Sequence, residues 1–236
     1  YAGIIDSSVS FSNINEITAY SGASNTLTGT DDGDMFVIDG DNRGSVTDTA
    51  ETPTFLLDAF VNIQSLTGGD GNDTFTVEST GSIDSLDGGL GDDSFSIDGV
   101  GLVTTSITGG DGVETESNSI TRTDGNASTW ILESAYTGSM DGSMAFTDIQ
   151  GIIAGGGNDS FSMAGAYLDS IAGGDGASGD DSNSITRTDD APSTWILGSA
   201  YAGSMDGSMA FTDIQSINAG GGNDSFSMAG AYLDSI

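Results

Sequence analysis

GGDGNDTFT, residues 68–76, packs three glycines and two aspartates into six positions and then sets Phe75 between two threonines. Twenty residues later GGLGDDSFS, residues 88–96, repeats the pattern. Glycine enters positive φ without a steric cost, and Asp or Asn bonds its own backbone in a bend, so each stretch reads as a sharp corner followed by a strand. In TFTV (74–77), SFSI (94–97) and SFSM (160–163 and 225–228) the Phe and the next aliphatic residue share one face and the hydroxyls the other. Strands stacked in register would place Phe75 over Phe95, with Phe161 and Phe226 in equivalent slots. A slip of one residue would turn every Phe outward, so the alternation fixes the register.

Repetition extends over the whole chain. SITRTDGNASTWILESAYTGSMDGSMAFTDIQ, which begins a copy spanning 119–171, returns almost unchanged in 184–236, a shift of 65 residues. Older copies survive as a Phe-x-x-Ile-x-x-Ile/Leu signature at Phe11, Ile14 and Ile17, at Phe60, Ile63 and Leu66, at Phe146, Ile149 and Ile152, and at Phe211, Ile214 and Ile217. YAGIIDSSVSF, residues 1–11, is in phase with YAGSMDGSMAF, residues 201–211. Leu66, Leu86 and Ile107 beat at 20 and 21 residues, enough for one rung of short strands joined by turns. The expected fold is therefore all-β: a parallel β-solenoid (β-helix or β-roll) of about 20-residue rungs, with the 65-residue unit made of three. Roughly eleven rungs at about 4.8 Å would make a rod about 50 Å long. Residues 1–236 are expected to form one continuous segment, with diverged repeats in 1–118 and near-identical units at 119–183 and 184–236, the second truncated. Ile171 runs on into AGGDG where its counterpart Ile236 ends the sequence, which reads as a slice of a longer array.

Composition limits what such a chain can do. Three Lys+Arg face 36 Asp+Glu, for a formal charge of −33, and there is no histidine. That surface repels nucleic acid and anionic membrane. A hydrophobic share of 36% with clear periodicity excludes a disordered acidic tail. The 37 glycines, two prolines and short runs of Val, Ile, Thr, Phe and Ser agree with many short strands. With no cysteine, disulfides and thiolate metal sites are excluded, and any metal would be held by oxygen. No apolar run reaches membrane-span length, and YAGIIDSSVS lacks the zones of a signal peptide.

One corner offers part of a coordination shell, and two stacked corners could assemble the roughly six to eight oxygens that calcium takes. Aspartates about 5 Å apart up a ladder would otherwise repel, so calcium is expected as a condition of folding. A metal-free Asx corner is the competing reading. GGDGNDTFT and GGLGDDSFS match the nonapeptide of hemolysin-type (RTX) calcium-binding repeats throughout, and their alternation with Phe-x-x-Ile segments resembles giant repetitive surface and adhesin-like proteins of bacteria. The resemblance implies a calcium-stabilised parallel β-roll or β-helix outside the cell. It assigns calcium to the carboxylates of Asp73 and Asp93 and to carbonyls of Gly68, Gly69, Gly71, Gly88, Gly89 and Gly91. Asp70 and Asp92 in the same turns, and Asp34, Asp111, Asp159, Asp175 and Asp224 in looser ones, complete the candidate ligands. The pattern departs from the family where ESTGSIDSLD (78–87) separates the nonapeptides and where Glu114 stands in place of Asp. GGGND at 155–159 and 220–224 is one residue short, and 173–181 is lengthened to GGDGASGDD.

Other residues carry blander expectations. Asn118 and Asn183 in SNSI suit an internal side-chain ladder, Trp130 and Trp195 suit the core, and Arg122 and Arg187 in TRTD suit neutralising nearby aspartates. Arg43 is expected on the surface, and the Ser/Thr columns on a solvated face that could bind ice. The leading functional expectation is non-enzymatic: a fibre shaft or adhesin stalk, with calcium ions and other copies of itself as partners. The alternatives are a polysaccharide-acting lyase or epimerase working through carboxylates or tyrosines, and a calcium-binding export or folding segment of a secreted enzyme.

Overall fold

Short alternating runs leave room for strands and nothing else. The computed structural model describes residues 2–5, 9–12, 14–49, 55–99, 101–110, 116–163, 168–174, 181–230 and 233–236, with side chains from residue 14 onward and, in the strand Phe55–Val61, from Leu57. Among the described residues there is no helix, and the strands are three to eight residues long. The chain forms two units, residues 1–111 and 112–236.

In the first unit, Thr26–Thr28, Ser65–Gly69, Ser82–Gly89 and Leu102–Thr108 make one parallel sheet. Glu16–Thr18, Phe55–Val61, Arg43–Asp48, Asp34–Gly40, Thr74–Val77 and Ser94–Ile97 make the other, in that order. Ala2–Ile5 and Val9–Ser12 form a separate antiparallel pair. From Ser65 to Thr108 the chain alternates between the sheets, so about one strand in each makes a 20-residue circuit: Leu66 pairs Leu86 and Leu86 pairs Ile107 in one sheet, while Phe75 pairs Phe95 in the other. The rings obey the ladder spacing. Phe36 stacks on Phe75 at 4.7 Å and 6°, and Phe75 on Phe95 at 5.0 Å and 10°. Phe36, Phe75 and Phe95 are fully buried.

Besides that pair, three segments among the described residues depart from parallel stacking. Asp34–Gly40, Arg43–Asp48 and Phe55–Val61 run as an antiparallel meander in the first unit. Thr129–Ser134, Thr137–Met140 and Met144–Thr147 do so in the second, as do Thr194–Ser199, Ala202–Met205 and Met209–Thr212. Each turns on residues held at positive φ: Asn42, Tyr136 and Tyr201 in one kind of hairpin, Asp141–Gly142 and Asp206–Gly207 in the other. A glycine always faces the last Phe, in the pairs Gly44–Phe60, Gly138–Phe146 and Gly203–Phe211. A Cβ on Gly138 would meet the Phe146 ring at 2.7 Å, so the ring lies across the bare glycine. The same pairing, Gly3 with Phe11, bears out the phase match between residues 1–11 and 201–211.

The Phe-x-x-Ile signature is the exit from each meander. Phe60 ends a strand of one sheet, Ile63 fills the corner and Leu66 enters the other sheet, all buried. Phe146, Ile149 and Ile152, and Phe211, Ile214 and Ile217, do likewise. The residue before each corner Ile is Asn62, Asp148 or Asp213, at φ 60, 56 and 55. Those are the residue types that enter the left-handed region most readily after glycine.

The expected three rungs per 65-residue unit did not include the meander. Among the described residues of 119–183 there are seven strands, shared between two sheets, or three and a half layers at one strand per sheet. An odd number sends the next copy to the opposite sheet. Ser119–Arg122 lies beside Gly151–Ile153, while its repeat Ser184–Arg187 lies in the other sheet beside Ser160–Met163. Phe161 and Phe226 therefore have equivalent neighbours on opposite sheets: Phe161 stacks on Trp130 at 6.3 Å and Phe226 on Trp195 at 6.1 Å. Both tryptophans are fully buried, as expected of core residues.

Since Phe75 is sandwiched between two rings, Phe75→Ala should cost about 3–5 kcal/mol in chemical denaturation. Thr76→Ala on the opposite face should cost under about 1 kcal/mol.

Candidate functional site

Two residues before the first inward core residue of several strands stands a polar side chain. Asp34, Asp73 and Asp93 precede Phe36, Phe75 and Phe95, and Ser128, Asp159, Asn183 and Gln215 precede Trp130, Phe161, Ile185 and Ile217. A period of two turns both members of each pair inward. Asp34, Asp73, Asp93, Asp159, Asn118 and Asn183 are at most 1% exposed.

These side chains form ladders across the parallel strands. The backbone N–H of Asp34 donates to Asp73 Oδ1 at 2.6 Å, and that of Asp73 to Asp93 Oδ1 at 2.7 Å. In the second unit Ser128 N–H donates to Asp159 Oδ1 at 2.6 Å, Asp159 N–H to Asn183 Oδ1 at 2.7 Å, and Asn183 N–H to Gln215 Oε1 at 2.7 Å. Asn118 N–H donates to Gln150 Oε1 at 2.7 Å and Asn25 N–H to Gln64 Oε1 at 3.0 Å. Each side chain satisfies a corner amide that has passed beyond the reach of the sheet. The ladder expected for Asn118 and Asn183 is present. The expectation stopped short of the aspartates, glutamines and serines in the same column, although their place two residues ahead of a buried apolar residue was a signal in the sequence.

The other carboxylate oxygen lies against glycine. A Cβ on Gly68 would overlap both Asp73 Oδ2 and the Gly88 carbonyl oxygen, and one on Gly88 would overlap Asp93 Oδ2 and the Gly109 carbonyl oxygen. Gly68 and Gly88 are thus required for space. Gly69, Gly71, Gly89 and Gly91 are required for conformation, with φ between 91° and 125°. Asp73 Oδ2, Asp34 Oδ1 and Asp159 Oδ2 are buried without a hydrogen-bond donor. Burial pushes the Asp73 carboxyl up to about 7, with the charges of Asp93 and Asp34 adding to it and the Asp34 N–H opposing. Burial takes Asp159 to about 6 against hydrogen bonds from Ser128 and the charge of Arg122, and it also raises Asp34 and Asp87.

The expected calcium ligands separate into two sets. Asp34, Asp73, Asp93 and Asp159 point into the core, with Asp224 half-buried in the same role, accepting from the Ser193 N–H at 2.8 Å. Asp70 and Asp92 point outward to solvent, and the Asp92 N–H donates to Asn72 Oδ1 at 3.0 Å. Asp111 and Asp175 lie outside the described residues. Among the described residues no three acidic side chains gather where one ion could bridge them. Asp73, Asp93 and Asp159 each accept a backbone N–H on Oδ1, and Asp34 accepts the Thr30 N–H on Oδ2, so the inner aspartates are ladder members.

The arginines pair as expected. Buried Arg122 donates to Asp124 at 2.7 Å and Asp141 at 3.2 Å, and buried Arg187 to Asp189 at 2.5 Å and Asp206 at 3.3 Å. The bond from Arg187 holds Asp189 below the usual carboxylate range. Arg43 is exposed and meets Asp39 at 3.0 Å. Outward hydroxyls run in columns, with Ser65 and Ser85 2.6 Å apart and Ser94 donating to Thr74 at 3.2 Å. No family model, curated protein or solved structure matches the chain.

If the cradle is as tight as the overlap implies, Gly68→Ala should lower stability by about 1–3 kcal/mol. Gly125→Ala, where a Cβ meets nothing within 4 Å, should be neutral within about 0.5 kcal/mol, and equal melting temperatures for the two variants would refute the cradle.

Proposed function

We propose that this chain is a structural repeat region, an extracellular β-solenoid shaft or stalk that spans distance by adding copies. The observation that carries the reading is the recurrence of three polar clusters of one 65-residue copy in the next. Arg122 with Asp124 and Asp141 becomes Arg187 with Asp189 and Asp206. Tyr136 donates to Asp169 at 3.1 Å as Tyr201 does to Asp234. Trp130 Nε1–H donates to Ser128 Oγ at 2.7 Å, and Ser128 Oγ–H to Asp159; Trp195, Ser193 and Asp224 repeat the relay. A catalytic centre is a singular arrangement, and these clusters are duplicated. They also spend their donors and acceptors on holding turns and rings. That favours a scaffold over the lyase or epimerase reading.

Seven strands shared by two sheets advance a stack by three and a half layers, so each added copy should lengthen the particle by about 17 Å. Small-angle scattering on chains carrying one, two and three extra copies of 119–183 tests this. A constant increment in maximum dimension at constant cross-section is the expected result. Growth in all directions, or cleavage of acidic or neutral polysaccharides by the chain, would overturn the reading.

A further inference from the structure

We propose that the outer corner asparagines Asn72, Asn158 and Asn223 are acceptor sites for N-linked sugar. Asparagine followed two residues on by serine or threonine, with any residue but proline between, is the triplet that N-glycosylating enzymes read. It occurs as Asn72-Asp73-Thr74, Asn126-Ala127-Ser128, Asn158-Asp159-Ser160 and Asn223-Asp224-Ser225. All four asparagines are exposed, whereas Asn118 and Asn183, which do not begin such a triplet, are buried in the ladder. The inference rests on the extracellular placement in the reading above and on nothing else in it.

The ladder turns three of these triplets outward. Their middle residue is the inward aspartate, buried in Asp73 and Asp159 and half-buried in Asp224. Alternation then carries the asparagine before it and the hydroxyl after it to the outside together. The amide is also held the right way round. Asn72 Oδ1 accepts the Asp92 N–H at 3.0 Å, and Asn158 Oδ1 accepts the Ser182 N–H at 2.7 Å. An amide oxygen fixed on a backbone donor leaves Nδ2, the atom that takes the sugar, at the free end. Among the described residues neither Nδ2 has an acceptor. Thr74 Oγ1 accepts from Ser94 at 3.2 Å, which leaves its own O–H to be read.

Asn126 is the exception, and the fold supplies it as a control. Its Nδ2 donates to Asp124 Oδ2 at 2.5 Å. The hydroxyl of its triplet, on buried Ser128, donates to Asp159 Oδ1 at 2.6 Å and accepts from Trp130 Nε1 at 2.7 Å. Nucleophile and recognition group are both engaged there. Its counterpart in the next copy is Ala191, whereas Asn158 returns as Asn223. The corner at Asn158 crosses from the sheet of Gly151–Ile153 to that of Ser160–Met163, and the corner at Asn223 crosses back, from the sheet of Ser216–Asn218 to that of Ser225–Met228. Successive copies carry their acceptors on corners that run in opposite directions between the sheets.

In the transfer, Nδ2 bonds to the anomeric carbon of a glycosyl diphosphate and the bond from that carbon to the phosphate oxygen breaks. The diphosphate leaves with the electron pair, and the Nδ2 proton goes to a base of the transferring enzyme. Peptide mass spectrometry on the full chain from its own cells tests the proposal. The expected result is a sugar mass on the peptides of Asn72, Asn158 and Asn223 and none on that of Asn126, with Asn72→Gln losing the mass at its own site alone. A single hexose would mark a nucleotide-linked donor and a preassembled oligosaccharide a lipid-linked one, and either supports the assignment. The wild-type measurement stands even if a variant fails to fold. A bare asparagine at any of the three strikes that position, and bare asparagines at all three overturn the proposal. Sugar on Asn126 to the same extent would overturn its geometric basis. A sugar-free chain that still lengthens with each added copy would sink this inference and leave the shaft reading standing.

Discussion

Everything in this fold follows from one constraint: at the spacing of neighbouring parallel strands, each inward residue has the corresponding residue of the next pass as its neighbour. A side chain must therefore tolerate something like its own copy. Phenylalanine does so well, and Phe36, Phe75 and Phe95 stack nearly parallel at 4.7 and 5.0 Å, so that one narrow file of rings replaces a globular core. Amides and hydroxyls tolerate it because each can give and take one hydrogen bond. Ionised carboxylates do not, since they only accept. The balance between these three cases shapes the interior more than any single contact.

The same constraint explains why some of the fold was legible in the sequence. The 20-residue beat of Leu66, Leu86 and Ile107 and the register of Phe75 on Phe95 came directly from period-two alternation, because a stacked strand has no freedom to place its inward residues elsewhere. The meanders were not anticipated. Their cue was present in GSMDGSM at 138–144, where the Asp-Gly turn sits between two symmetrical runs. A 65-residue identity invites a reading in whole rungs, and an antiparallel excursion that keeps three strands in one sheet is invisible to periodicity along the chain. Its effect, the exchange of sheets between copies, depends on counting strands, and repeat length alone does not give that count.

The aspartates that the motif marks divide between two faces of the corner. A nonapeptide corner has two faces, and the sequence motif does not say which face its acid addresses. Position decides it: Asp73 is two residues from an inward Phe and shares its face, whereas Asp70 and Asp92 fall in the exposed part of the turn. The glycines divide in the same way. Gly69 and Gly71 serve the bend, while Gly68 serves the carboxyl that folds back over it, and only the stacked structure reveals that second use.

The two units handle stacked acids differently, and the difference argues that like-charge adjacency has a cost the sequence has moved to avoid. In the first unit the column runs Asp34, Asp73, Asp93, three acids in succession. In the second it runs Ser128, Asp159, Asn183, Gln215, so that the one acid has a hydroxyl on one side and an amide on the other. Both arrangements keep an oxygen in place to receive each corner amide, which is all the backbone requires. Only the second does so without setting carboxyl against carboxyl, and there Ser128 and Arg122 help to hold Asp159 nearer the ordinary range.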